Sequence, residues 1–119
     1  MIILHPVYYG RMRKSLLILL FFVSLGGVHK ASAQLDKHYF FYVGRSYIID
    51  NKFRDAIETL NVLLKVDEKA YEGYFLRGIA KYNLDDLLGA EQDFSYAIEN
   101  NPVFTAAYQY RAITRSRLG

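Results

Sequence analysis

A chain of 119 residues supports at most one small domain, and its formal charge of +3 puts it on the basic side. The excess is confined to residues 1–33, which hold Arg11, Arg13, Lys14 and Lys30 and no acid. Of the fifteen basic groups that leaves eleven against all twelve acids in residues 34–119, a net of −1. A nucleic-acid binder keeps a basic stripe on its folded part, because phosphate neutralisation supplies most of its affinity, so nucleic acid is not an expected partner. With no cysteine in the chain, disulfides, thiolate metal sites and a cysteine nucleophile are excluded.

The first element in chain order is a leader. Residues 11–14 are basic, residues 15–25 are almost wholly apolar, and Ala31, Ser32 and Ala33 give small residues in an A-x-A arrangement. That order is the pattern of a secretory signal peptide, with cleavage expected after Ala33 and Gln34 as the new N-terminus. The apolar run falls short of the ~20 residues that cross a bilayer comfortably. Residues 1–33 are therefore expected to lie outside the fold, with export to a periplasm or the exterior and no stable membrane insertion after cleavage. An uncleaved anchor helix is the competing reading, and Met12 competes with Met1 as the start.

Beyond the leader, residues 37–70 and 71–104 are two copies of one 34-residue pattern. Phe41, Gly44 and Ala56 recur as Phe75, Gly78 and Ala90. Phe40, Phe53, Leu60 and Leu63 recur more loosely as Tyr74, Leu87, Phe94 and Ala97. A third copy starts at 105, where Tyr108, Arg111, Ile113 and Leu118 repeat Tyr74, Arg77, Ile79 and Leu84. Repeats of this length are stacked supersecondary units, each burying its apolar face on the next.

Within the first copy, Phe40, Val43, Gly44 and Tyr47 fall at three- and four-residue steps, the mark of one helix face. Asp50 and Asn51 break it, and Phe53, Ala56, Ile57, Leu60, Leu63 and Leu64 form a second face. The second copy repeats this with Tyr74, Phe75, Gly78 and Tyr82, then Leu87, Ala90, Phe94, Ala97 and Ile98. Asp85 or Asp86 caps the later helix through a side-chain oxygen. Pro102 stops it, having no amide hydrogen to donate and disfavouring helix in the residue before it. Glycine inside a helix costs about 1 kcal/mol relative to alanine, so Gly44 and Gly78 at equivalent places imply a close approach. The expected neighbours are Ala56 and Ala90.

Taken jointly, these positions resemble the tetratricopeptide repeat (TPR), a 34-residue helix–turn–helix unit. The best-matching stretch is residues 74–102, with the aromatic, glycine, small, aromatic, small and proline positions in order. The resemblance covers residues 37–119, as repeats 37–70 and 71–104 and a partial repeat 105–119. Two places depart from it: Glu68 stands where a terminal proline is usual, and Lys81 where an aromatic is usual. The resemblance implies an all-α solenoid of antiparallel helical hairpins, about two and a half repeats long. It also implies a concave face lined by the first helix of each repeat.

By matching positions, that inner face would carry Phe41, Arg45, Ile48 and Ile49, then Phe75, Ile79 and Tyr82, then Gln109 and Ile113. An aromatic and aliphatic groove with Arg45 as its central charge suits an extended peptide or a partner helix. Aromatic stripes at helical spacing also serve as core, which gives Phe41 and Phe75 a second reading. The carboxylate-clamp subset of the family uses lysines and asparagines where this chain has Phe41, Arg45 and Leu76, so that subset is not implied.

Enzymatic chemistry has little to stand on. His38, at the start of the first helix, reads as a solvated end residue, and the pair Asp85–Asp86 reads as a helix cap. Glu91, Asp93, Asp67 and Glu68 read as solvated charges. No histidine–carboxylate cluster with metal spacing and no phosphate-cradling glycine loop is present, so neither catalysis nor a cofactor is expected. Residues 105–118 form another first helix, and Gly119 falls where its turn should begin. Arg111, Arg115, Ser116 and Arg117 give that helix the polar side of a cap. The expected function is an exported adaptor with a protein or peptide partner. A second reading makes the chain an N-terminal piece of a longer array or multidomain protein, self-associating as a homo-oligomer.

Overall fold

In the computed structural model the backbone is described from Gly27 and the side chains from Asp36, both through Gly119. The basic and apolar parts of the leader lie outside the described residues. The elements are α1 (Gly27–Ile49), α2 (Phe53–Val66), α3 (Tyr71–Asn83), α4 (Leu87–Asn100) and α5 (Thr105–Leu118). Among the described residues there is no strand. Residues 36–119 form one folding unit in which α2 packs on α3, α3 on α4 and α4 on α5. No helix among the described residues is long and apolar enough to cross a membrane.

The repeat is visible in the turns as well as in the apolar pattern. Asn51 and Asp85 are 34 positions apart and both take left-handed backbone, with φ of 58° and 61°. Asparagine and aspartate tolerate that region better than other side chains, which is why the breaks fall on them. The turn is closed the same way twice: Lys52 N donates to Tyr47 O at 2.8 Å and Asp86 N to Lys81 O at 2.9 Å. Between repeats, Asp67 Oδ1 accepts from Lys69 N, and Asn101 Oδ1 accepts from Val103 N. Tyr74 and Tyr108 hydroxyls then donate to the carbonyls of Glu68 and Pro102, each at 2.9 Å. A carbonyl serves here whatever the side chain, so Glu68 in place of proline leaves this link unchanged. Of the two candidate caps, Asp86 is the one used, its Oδ1 accepting from Gly89 N at 3.1 Å.

Ala56, Leu60 and Leu63 on α2 and Ala90, Phe94 and Ala97 on α4 are all at most 1% exposed. Burying a leucine or phenylalanine side chain contributes about 1.5–3 kcal/mol, so these positions supply the main favourable term. The two glycines lie against the large members of this set, whose side chains come nearer than the alanines expected. A Cβ on Gly44 would come within 2.7 Å of Leu60, and one on Gly78 within 2.6 Å of Phe94 Cε1. The large side chain, one helical turn past each alanine, is what needs the missing Cβ. Between repeats, Gly73 makes room for Leu63 and Leu64. At the equivalent junction Leu63 and Gly73 are replaced by Ala97 and Ala107, each fully buried, and Leu64 by the half-buried Ile98.

Candidate functional site

The first helices of the first two repeats stand side by side, so residues 34 positions apart line one surface. Phe41 and Arg45, four apart on α1, share a recess of about 240 Å³ with Glu72, Phe75 and Leu76 of α3 and with Phe104. Four-residue spacing stacks Phe41 over Arg45, and three- and four-residue spacing does the same for the α3 residues. Phe41 and Glu72 also line a neighbouring recess of about 340 Å³, together with Lys37, His38, Tyr42, Asp67 and Tyr71.

Phe75 is placed by aromatic edges. Its ring centroid lies 4.9 Å from that of Phe104 and 5.3 Å from that of Tyr110, both near-perpendicular, and 5.8 Å from Phe94. Edge-to-face pairs of this kind are favourable because the positive ring edge meets the negative face. Phe75 therefore serves both the core and the recess, while Phe41 is half-buried against the first hairpin's core.

The other expected groove residues are not gathered at this recess. Ile48 packs on the buried cluster of the first hairpin, and Ile49 is 69% exposed. Ile79 is half-buried, and Tyr82 lies under the Arg117 guanidinium, 4.7 Å from its ring centroid. Gln109 and Ile113 are exposed on α5. Arg45 is joined by Glu72, so the surface carries both signs of charge rather than arginine alone. Glu72 is the counterpart of His38, one turn before Phe75 as His38 is before Phe41. Extending the helical spacing one turn toward the N-terminus would have found both. Phe104 lies in the turn before α5 and carries no periodic signal.

The charges read as solvated divide sharply. Asp93 is 1% exposed and accepts from Arg77 Nε at 2.8 Å and Arg77 Nη2 at 2.7 Å, with Lys81 Nζ at 3.0 Å. A carboxylate leaves water only when paired and hydrogen-bonded, and here two cations hold it inside the second hairpin. The Asp93 hydrogen bonds hold the Arg77 guanidinium's pKa above its ordinary value, against burial. Lys81, which stands where the repeat pattern usually has an aromatic, is accordingly a structural cation and half-buried. Asp67 pairs with Lys37, whose hydrogen bond holds the carboxyl below the usual range, and burial opposes this. Glu91 pairs with Arg115 at 2.7 Å on the half-exposed seam between α4 and α5. His38 is exposed, and among the described residues no cluster of three histidines or carboxylates could hold a metal.

No family model and no curated protein matches this chain. Solved structures do. The chain is similar to the TPR2B domain of yeast Sti1 in its complex with pHsp70, at 23% identity and a TM-score of 0.69. That match covers 71% of this chain and 67% of the other. It is also similar to the TPR2AB domain of yeast Sti1 in its complex with pHSP90, at 23% identity and a TM-score of 0.68. There it covers 76% of this chain but spans only 37% of the other. At these identities the likeness shows the fold: an all-α stack of TPR-like hairpins.

Proposed function

We propose that this chain is an exported protein-interaction scaffold that holds a peptide or partner helix along the surface between α1 and α3. The observation that carries the reading is the recess itself, where Phe41, Phe75, Leu76 and Phe104 are flanked by Arg45 and Glu72. Apolar side chains of a ligand lose water contact against the aromatic wall, which supplies affinity. Arg45, exposed and in no ion pair among the described residues, offers a planar cationic fork to a carboxylate or backbone carbonyl. Glu72 offers an acceptor to a ligand amide or cation, which orients the bound segment. Binding rather than catalysis is also what the two Sti1 neighbours support, both being complexes. Export rests on the leader pattern of residues 11–33.

Panning a random peptide display library against the protein tests the binding reading. Selected peptides should carry an apolar segment beside an acidic or C-terminal group. They should lose affinity for the Arg45→Ala variant. Selection of peptides indifferent to Arg45, Phe41 and Phe75 would place binding elsewhere on the molecule.

A further inference from the structure

The two recesses between α1 and α3 meet at Phe41 and Glu72, which line both. Their walls are aromatic, and each ring is fixed by another. Tyr42 stands edge-on to Phe41 with ring centroids 5.4 Å apart, Tyr71 edge-on to Phe104 at 5.1 Å, and Phe104 edge-on to Phe75 at 4.9 Å. Tyr42 is 62% exposed and the other four are half-buried, so every ring keeps surface open to a ligand. The polar rim is lopsided. Arg45 and Lys69, both exposed, bring donors and no acceptor. Of the two carboxylates, Asp67 is already taken by Lys37 and by the backbone N–H of Lys69, which leaves Glu72.

We propose, resting on the groove reading above, that the bound segment is proline-rich and held as a polyproline II helix across both recesses. An ordinary extended chain carries an N–H for every carbonyl, whereas a proline-rich one offers carbonyls and almost no N–H. That backbone matches a rim with donors in excess and one open carboxylate. Its rings stack on aromatic walls, and because the polyproline II helix is pre-formed, little ordering entropy is lost on binding. The dimensions agree. Along α1 the lining residues run from Lys37 to Arg45, a span of about 12 Å at the helix rise of ~1.5 Å per residue. Residues three apart on a polyproline II helix share a face and lie about 9 Å apart, so one ring enters each recess on either side of Phe41. Tyr42, Tyr71 and Lys69 thereby become determinants of specificity, although none lies among the expected groove residues.

The probe is a ten-residue oligoproline with a free C-terminal carboxylate, titrated into the isotope-labelled full chain and followed by amide shifts. A glycine–serine peptide of equal length and a peptide selected from the display library are titrated beside it. The expected result is saturable shifts centred on Phe41, Tyr42 and Tyr71 with oligoproline. Affinity should fall about tenfold for Tyr42→Ala, the scale of one aromatic contact, with the melting temperature unchanged because Tyr42 is exposed. The glycine–serine peptide, which must be ordered on binding, should bind more weakly than oligoproline. Equal affinity of the two, or oligoproline binding indifferent to Tyr42→Ala, would overturn the proposal. Selected peptides that are helical when bound would do the same. If the selected peptide shifts the recess residues and oligoproline does not, the groove reading stands and the proline-rich ligand is ruled out. If neither shifts them, both readings fall together.

Discussion

The Arg77 guanidinium grips the Asp93 carboxylate through two parallel hydrogen bonds of 2.8 and 2.7 Å, inside a hairpin where Asp93 is 1% exposed. Removing one partner strands a buried charge, which costs about 3–5 kcal/mol. Arg77→Ala should therefore lower stability by about that much in a denaturant titration. Lys81→Gln, which leaves the bidentate pair in place, should cost only about 1 kcal/mol. Equal losses for the two would show that the pair is not what holds Asp93.

Gly78 and Phe94 make a second measurable pair. A Cβ at 78 would stand 2.6 Å from Phe94 Cε1, so the ring or the helix must move. Gly78→Leu should destabilise the fold by about 1–3 kcal/mol or more through overpacking. Combining a smaller change, Gly78→Ala, with Phe94→Leu should be less harmful than the sum of the two, because the shorter side chain vacates the clash. A double-mutant cycle on thermal or denaturant midpoints reads this coupling directly.

For the recess, Arg45→Ala should weaken a selected peptide by about 1–3 kcal/mol while the melting temperature stays put. Arg45 is exposed and makes no ion pair among the described residues, so the fold does not depend on it. Glu72→Gln should shift the preference away from peptides with a basic residue. Lys65→Ala, on the exposed side of α2, should leave binding unchanged. Loss of binding on the Lys65 change, with none on Arg45, would move the ligand to the outer face.

Acid should loosen the contact between α1 and the end of α2. The Lys37 hydrogen bond holds the Asp67 carboxyl below its ordinary value of 3.8. A depressed folded-state pKa gives stability that is fully present above the unfolded value and is lost as pH falls through the folded one. Melting temperature should thus drop below pH 3.8 more steeply in the native chain than in Asp67→Asn, all else being equal. Identical acid limbs would remove Asp67 from the account.

Export has its own readout. N-terminal sequencing of protein recovered outside the cytoplasm should begin at Gln34, after the Ala31-Ser32-Ala33 pattern. Material beginning upstream of Gln34 would count against cleavage at that site.

The 34-residue period by itself determined the hairpins, their breaks at Asn51 and Asp85, and the pairing of glycines with a close neighbour. It did so because backbone turns and apolar faces are local: three- and four-residue spacing puts side chains on one stripe wherever the helix lies. What lay across from each stripe needed the tertiary structure. At Gly78 the nearest atoms belong to Phe94 and not to Ala90, and periodicity within a helix is blind to which facing side chain comes closest. Asp93 looks in sequence like any surface acid, and only the approach of Arg77 and Lys81 from the neighbouring helix makes its burial affordable. Glu72 and Phe104 entered the recess for the same reason. Helix packing and the turn before α5 bring them beside Phe41 and Arg45, contacts that span about 27 to 63 positions of chain; Glu72 lies one turn before Phe75 on the same stripe, whereas Phe104 leaves no trace in any local pattern.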